Sequence, residues 1–187
     1  MSNNCYVALL RGINVSGKNS IRMSELQQCF LSCGLGEIRT YLQSGNVVFT
    51  TTKTDEAQLA VMLQNKIKDF FSFDIPVLVL SAQAFNSILK SNALKADNPD
   101  EDTLFHCTFL FDNVINNQFE ELLLPSAEGE CAKLLGQIVY LYCPNGYGNT
   151  KLNNRYFERA LGVQATTRNW RTVHALQKLC DSVTKQC

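Results

Sequence analysis

The first half of the chain alternates between short apolar runs and stretches in which apolar residues recur at helical spacing. An unbroken apolar run over residues 5–10 is typical of a central strand. Met23, Leu26 and Phe30 share one helical face, and Ser24 and Gln27 have the spacing of a capping box. The predicted elements follow the order strand, helix, strand, strand, helix, strand. They cover residues 5–10, 23–33, 38–42, 47–51, 55–70 and 76–80.

The second half repeats this order of elements. A helix over residues 82–89 links the halves, and a helix over 170–185 closes the chain. Between them we predict a strand, a helix, a hairpin, a helix and a strand, over residues 103–111, 116–123, 130–135 with 138–143, 150–161 and 163–167. We therefore predict an α+β fold of two ferredoxin-like (βαββαβ) halves, with antiparallel sheets and helices on one face. The predicted domains are residues 1–81 and 82–187.

Composition places the chain among folded proteins. Of its 187 residues, 45% are apolar and 18% are charged. No apolar run approaches the roughly 20 residues of a membrane helix, and the first residues lack a signal-peptide pattern. We expect a cytoplasmic protein without a membrane partner.

Eight cysteines raise the question of metal or disulfides. No Cys-x-x-Cys pair occurs, and only Cys29 and Cys33 are spaced by one helical turn. Free cysteine behaves as a small hydrophobic residue. We therefore expect free thiols, most of them buried, and we predict neither a metal site nor a cofactor.

The zero net charge hides two segments of opposite sign. Residues 97–130 contain nine carboxylates and no Lys or Arg, whereas residues 151–178 contain six basic residues and only Glu158 against them. We interpret the acidic segment as a solvated face, with residues 97–102 in a loop. The basic segment is the better candidate for binding an anion.

The first candidate site is the polar segment Arg11–Asn19, which leaves the first strand. Gly12 and Gly17 permit tight turns, while Arg11, Asn14 and Lys18 bring donors to the end of the strand. Such a loop can cradle an anion with backbone amides and a cation. The alternative is a simple turn in which Arg11 pairs with an acidic residue.

The second candidate is Tyr41–Asn46. Strand alternation would place Tyr41 and Gln43 on the same face, where they could frame a ligand together with Asn46. Gly45-Asn46 is also a sound turn pair without any function. Both interpretations stay open.

The third candidate, Asn145–Lys151, places two glycines before a predicted helix. Lys151, Arg155 and Arg159 then recur every four residues as a cationic stripe. The buried face of this helix is predicted to carry Leu152, Tyr156, Ala160 and Leu161. The alternative is an ordinary amphipathic helix with a solvated basic side.

The fourth candidate, Thr166–Thr172, contains the only tryptophan of the chain. Arg168 offers bidentate recognition of phosphate or carboxylate, and Trp170 offers a stacking face or a packing anchor. Asn169 is predicted to cap the closing helix. His174 lies on the polar side of that helix without an evident acidic partner, and His106 has the surroundings of a core residue.

Three of these segments, Arg11–Asn19, Tyr41–Asn46 and Thr166–Thr172, together resemble the bacterial family known as domain of unknown function 1697. The resemblance runs from Tyr6 to Leu179. It implies a small two-domain α+β protein. The residues that match the family are Arg11, Gly12, Asn14, Gly17, Lys18, Met23, Leu26, Thr40, Tyr41, Gln43, Ser44, Gly45, Asn46, Lys151, Leu152, Glu158, Leu161, Gly162, Thr166, Thr167, Arg168, Asn169, Trp170 and Thr172. The family has no established activity or cofactor, so the resemblance implies no reaction.

Three functional hypotheses remain. The first is binding of an anionic small molecule or single-stranded nucleic acid in a polar cleft between the domains. The second is an enzyme acting on a phosphorylated or carboxylated metabolite, with Arg11, Lys18 and Arg168 as charge clamps but no evident general base. The third is a structural or assembly protein in which Arg11 and Arg168 are paired and buried. The ligand-binding residues of the first hypothesis are Arg11, Asn14, Lys18, Tyr41, Gln43, Asn46, Lys151, Arg168, Asn169 and Trp170.

Overall fold

The computed structural model describes residues 3–15, 17–92, 94–95 and 102–184. The chain packs into two compact units. The first unit contains the residues up to Ser87 and those from Ala175 onward, and the second contains Ile88–His174. The predicted domain boundary between residues 81 and 82 stays a prediction.

The first unit is a ferredoxin-like half. It contains β1 (Asn4–Leu10), α1 (Met23–Leu31), β2 (Gly36–Tyr41), β3 (Asn46–Thr51), α2 (Glu56–Phe71) and β4 (Val77–Ser81). The strands form one antiparallel sheet in the order β2-β3-β1-β4. The βαββαβ order and this strand arrangement confirm the predicted fold for the first half.

Alternation along β1 explains where the core of this unit lies. Tyr6, Ala8 and Leu10 all face one side of the sheet and are buried against α1 and α2. Both helices present apolar stripes to this side, which include Leu26, Cys29, Phe30, Leu59, Leu63 and Ile67. Asp55 caps α2 as predicted, since its side chain accepts a hydrogen bond from the Gln58 N–H.

The linking helix α3 (Ala82–Lys90) follows the first sheet, and the second ferredoxin-like half follows it. That half contains β5 (Phe105–Leu110), α4 (Asn116–Glu120), β6 (Cys131–Leu135), β7 (Ile138–Tyr142), α5 (Asn154–Leu161) and β8 (Ala165–Asn169). Its antiparallel sheet has the order β6-β7-β5-β8. The closing helix α6 (Trp170–Thr184) has its first residues in the second unit and the remainder in the first.

The core of the second unit lies between one sheet face and its two helices. It includes Leu110, Phe119, Val139, Leu141, Phe157 and Ala165. Phe119 and Phe157 stack with their ring centroids 6.3 Å apart. The packing therefore repeats that of the first unit with different side chains.

One predicted helix cap and one predicted helix start are wrong. Helix α1 begins at Met23, and its N-cap is Arg22 without a side-chain hydrogen bond, so Ser24 and Gln27 do not form a capping box. Helix α5 begins at Asn154 rather than near residue 150, because the Asn153 side chain caps it by accepting from the Tyr156 N–H. Residues 147–149 form a separate 3₁₀ turn.

The predicted buried face of α5 is also partly wrong. Ala160 is exposed, and Phe157 is the residue that fills the core. Of the predicted acidic loop over residues 97–102, only Asp102 belongs to the described residues. Among the helices of the described part of the chain, none combines the length and apolar character needed to cross a membrane.

Candidate functional site

In the first unit, two polar segments are bonded to each other and form what we call the double loop (residues 11–15 and 17–19 with residues 42–45). Asn14 joins the two segments. Its side-chain amide donates to the Ile21 carbonyl at 2.9 Å and to the Gln43 carbonyl at 2.8 Å. Its Oδ1 accepts from the Ile21 N–H at 2.8 Å. The bond to Gln43 thus joins the two segments, and the two bonds to Ile21 hold the Asn14 side chain in place.

Gly45 anchors the second segment of the double loop against β1. Its carbonyl accepts from the Leu10 N–H at 2.8 Å, and its φ is +73°. A Cβ atom at this position would lie 2.7 Å from Leu10 Cβ and 2.8 Å from Ile13 Cδ1. Only glycine fits this conformation and this space.

Asn46 is fully buried at the start of β3. Its side-chain amide donates to the Tyr41 carbonyl and to Ser44 Oγ, both at 2.9 Å. These bonds close the four-residue loop between β2 and β3, which covers residues 42–45 rather than a Gly45-Asn46 turn. Asn46 therefore stabilises this loop from a buried position.

The prediction that Tyr41 and Gln43 share one strand face is wrong. Strand β2 ends at Tyr41, and Leu42 has a φ of +55°, so strand alternation stops before Gln43. Tyr41 is half-buried, and the Gln43 side chain is exposed.

The two cations of the double loop differ in exposure. Arg11 is half-buried, and its N–H donates to the Pro76 carbonyl at 3.0 Å. Lys18 is exposed at the tip of the loop, where its backbone N–H donates to the Val15 carbonyl at 3.0 Å.

In the second unit, Arg168 lies on β8 and is only 6% exposed. Its guanidinium donates to Thr166 Oγ1 at 2.7 Å and to the Thr167 carbonyl at 2.9 Å. Burial lowers the pKa of Arg168 to about 10, which leaves the guanidinium charged at neutral pH. Arg168 is therefore a buried cation held by its own strand.

Residues 169 and 170 join β8 to α6. The Asn169 side chain accepts from the Thr172 N–H at 2.9 Å, which confirms the predicted helix cap. Trp170 is 2% exposed, and its ring lies edge-on to Tyr140 and to His174. These contacts are those of a packing anchor.

His106 is buried on β5, and its ring stacks on Tyr147 with the centroids 4.6 Å apart. Burial lowers the pKa of His106 and raises the pKa of Tyr147. Nearby, Thr108 and Thr167 hydroxyls lie 2.8 Å apart, and Thr167 donates to Asn154 Oδ1. Thr108, Thr167 and Asn154 therefore bond to one another, whereas His106 Nδ1 has no hydrogen-bond partner among the described residues.

A different arrangement of polar side chains surrounds α5. An open groove of about 520 Å³, here called the basic groove, runs beside this helix. Its lining residues are Leu123, Pro125, Thr150, Lys151, Asn153, Arg155, Tyr156 and Arg159. Among the described residues, it is lined by three cations and by no carboxylate.

The cations of the basic groove are Lys151, Arg155 and Arg159, and all three are exposed. Within the described ranges, no carboxylate oxygen lies within 4.0 Å of their nitrogen atoms. Arg155 and Arg159 are one helical turn apart, so both project on the same side of α5. Their guanidinium groups are therefore accessible to a ligand from solvent.

The opposite wall of the basic groove comes from the segment after α4. Tyr156 donates from its hydroxyl to the Leu123 carbonyl at 3.1 Å, which ties this segment to α5. Leu122 and Leu124 line a second cavity of about 360 Å³ on the other side of the segment. Leu122 and Leu124 thus line one cavity, and Leu123 and Pro125 line the basic groove.

The thiols do not form a metal site in the described residues. Cys5, Cys29, Cys107, Cys143 and Cys180 are buried, and no group of three or more His, Cys, Asp or Glu side chains there could hold an ion. Burial raises the pKa of Cys29 to about 11. This thiol is therefore protonated at neutral pH.

The structure divides the predicted site residues into three groups. The double loop and the adjoining strand ends contain Arg11, Asn14, Lys18, Tyr41, Gln43 and Asn46, while the β8–α6 junction contains Arg168, Asn169 and Trp170. The basic groove contains Lys151.

Sequence reasoning named Arg155 and Arg159 as a stripe but left them out of the site, and it missed Thr150, Asn153 and Tyr156 as groove residues. The four-residue spacing of Arg155 and Arg159 was the signal in the sequence that could have placed both arginines in one site. Nothing in the sequence indicated that residues 122–125 would provide the facing wall.

Comparison with known proteins points to the family that the sequence resembled. The family model described as a protein of unknown function (DUF1697) matches residues 4–140. A conserved bacterial protein from Streptococcus pneumoniae has a similar solved structure, with 25% identity and a TM-score of 0.72. That match covers 96% of this chain and 99% of the other. No curated protein matches the sequence. The family match and the two βαββαβ sheets together show that the chain belongs to the DUF1697 family.

Proposed function

We propose that the second unit binds an anionic ligand in the basic groove. One observation supports the proposal above all others. Lys151, Arg155 and Arg159 line a single concave surface, no carboxylate lines it, and none of the three pairs with an acid in the described residues. Clustered cations that the protein does not neutralise raise the local concentration of anions and favour their binding.

The chemistry of the groove fits phosphate or carboxylate groups. Arginine presents a planar fork of donors that matches such anions, and lysine adds a mobile point charge. The groove volume of about 520 Å³ falls within the roughly 300–1,000 Å³ of small-molecule sites. The ligand classes are a nucleotide, another phosphorylated metabolite, or a short stretch of single-stranded nucleic acid.

Isothermal titration with inorganic pyrophosphate at low and high salt tests the proposal. We expect saturable binding that weakens with salt, because the interaction is between exposed charges. Arg155→Gln and Lys151→Gln should each weaken binding by about threefold or more.

Lys90→Gln is the matched control, since Lys90 is an exposed cation of the same unit outside the groove. Binding equally reduced by Lys90→Gln, or absent altogether, would refute the proposal.

A second candidate function concerns the predicted site residues outside the groove. Asn14, Asn46 and Arg168 direct hydrogen bonds to the protein's own carbonyl and hydroxyl groups. These bonds favour a structural role for the family's characteristic residues.

Unfolding of Arg168→Ala tests this alternative. A structural Arg168 predicts a loss of about 2–4 kcal/mol in the free energy of unfolding, together with unchanged pyrophosphate affinity. A stable variant that no longer binds the anion would contradict it.

A further inference from the structure

The basic groove has an apolar wall as well as a cationic one. Leu123 is 95% exposed, and Pro125 and Tyr156 line the groove beside it. An inorganic anion would contact only the cations and leave this wall in water. The wall has the character of a surface for a flat or apolar part of a ligand.

Tyr156 is held in place before any ligand arrives. Its hydroxyl donates to the Leu123 carbonyl at 3.1 Å, and its ring lies edge-on to the fully buried Phe157, with a centroid distance of 5.3 Å and an interplanar angle of 74°. Its ring is half-buried, so part of it stays accessible. A fixed aromatic ring loses little conformational entropy when a second ring packs on it.

Acidic side chains next to the basic groove disfavour a long polyanion as the ligand. Glu120 and Glu121 are exposed at the end of α4 and directly precede the wall segment. Glu120 lines the cavity on the other side of this segment, whereas a polyanion that continued past the wall would approach the Glu121 carboxylate, which repels phosphate. A ligand confined to the groove avoids this repulsion.

Resting on the proposed function, we infer that the ligand of the basic groove is a free nucleotide. Its base lies against the wall of Leu123, Pro125 and Tyr156, and its phosphate is bound by Lys151, Arg155 and Arg159. The cationic side sets affinity for any phosphate, and the apolar side selects the compounds that carry a ring.

The experiment compares four probes by isothermal titration: inorganic phosphate, ribose 5-phosphate, adenosine 5′-monophosphate and an eight-residue oligothymidylate. We expect the mononucleotide to bind about tenfold more tightly than ribose 5-phosphate, as one base–aromatic contact would give. Leu123→Ser and Tyr156→Leu should remove that difference while leaving ribose 5-phosphate affinity unchanged.

Leu123→Ser is the decisive variant, since a side chain that is 95% exposed contributes little to folding. Its matched control is Leu135→Ser, which replaces an exposed leucine of β6 outside the groove. Leu135→Ser should bind all four probes as the unaltered protein does.

The possible failures are distinguishable. Equal affinity for the nucleotide and ribose 5-phosphate, both weakened by Arg155→Gln, would overturn the inference and leave the proposed anion site standing. Binding of none of the probes would overturn both. The oligonucleotide could instead bind much more tightly, and the logarithm of its binding constant could fall with the logarithm of salt concentration at a slope of about −2, as three phosphate contacts predict. That result would overturn the assignment to a free nucleotide.

Discussion

The double loop of the first unit and the basic groove of the second are both rich in polar side chains, but they use them in opposite ways. In the double loop, Asn14 makes three hydrogen bonds to backbone groups, and the neighbouring Asn46 makes two more within its own loop. In the basic groove, Lys151, Arg155 and Arg159 are exposed and pair with no acid in the described ranges.

The difference shows how polar residues in a candidate site should be interpreted. A side-chain amide that hydrogen-bonds to the protein's own atoms contributes to folding and has less capacity left for a ligand. An exposed cation that lines a groove contributes little to the free energy of folding and remains available to bind an anion. Stability and binding should therefore respond to different substitutions in the two regions.

The largest effect on stability is expected at Gly45. Gly45→Ala would place a Cβ 2.7 Å from Leu10 Cβ at a φ of +73°. The overlap and the left-handed conformation together should cost about 3–5 kcal/mol in the free energy of unfolding, measured by urea denaturation. Gly12→Ala is the control, because its φ is +71° and, apart from its neighbours in the chain, no atom of the described residues lies within 4 Å of the added carbon. It should cost only about 1–2 kcal/mol, and equal losses for the two variants would show that packing is not responsible.

A smaller loss is expected at Asn14. Asn14→Ala removes the hydrogen bond to Gln43 that joins the two segments of the double loop, together with the two bonds to Ile21, and should cost about 2–3 kcal/mol of unfolding free energy. Gln43→Ala in the same loop should change it by less than about 0.5 kcal/mol, since only the backbone carbonyl of Gln43 takes part. If the two alanine variants were equally stable, the structural interpretation of Asn14 would fail.

Within the second unit, the buried His106 should make stability depend on pH. Burial lowers its pKa below 6.5 in the folded state, so the unfolded state binds more protons between the two pKa values. Stability should therefore fall as the pH drops below about 6.5. Thermal melting between pH 7.5 and pH 5 would measure this fall, and the His106→Gln variant should show a shallower one. An unchanged pH profile in that variant would contradict the assignment.

The smallest effect on stability is expected in the basic groove. The combined Lys151→Gln, Arg155→Gln and Arg159→Gln variant should unfold within about 0.5 kcal/mol of the unaltered protein, because these side chains are exposed and make no ion pairs in the described residues. Urea denaturation measures this difference. A loss above about 1 kcal/mol would mean that the groove cations stabilise the fold, as the polar residues of the double loop do.

Much of the fold could be predicted from the sequence because its signals are local. The apolar run of β1, the helical spacing in α2 and the Asp55 cap depend on residues close together in the chain. The start of α5 was harder, because a 3₁₀ turn at residues 147–149 precedes it and the helix begins only after the Asn153 cap, four residues later than predicted.

The candidate site was less predictable. The polar residues beside glycines in the double loop were interpreted as ligand-binding, yet Asn14 bonds to the carbonyl of Gln43, 29 residues away in sequence. Such partners are invisible to spacing rules. Conversely, the sequence predicted that Arg155 and Arg159 lie on one face of a helix. Whether that face meets open solvent or lines a groove depends on residues outside the helix, here Leu123 and Pro125.

The sequence by itself determined the order of the elements, the two repeated halves and the positions of charge. Periodicity and capping act over a few residues, so these features follow from local chemistry. Only the tertiary structure decided which polar side chains form hydrogen bonds within the protein and which remain available to a ligand. Long-range packing buries Arg168 and Asn46, while the segment 122–125 places an apolar wall opposite the cations of α5. Burial and concavity arise from residues distant in the chain, and for that reason they can be recognised only in the folded molecule.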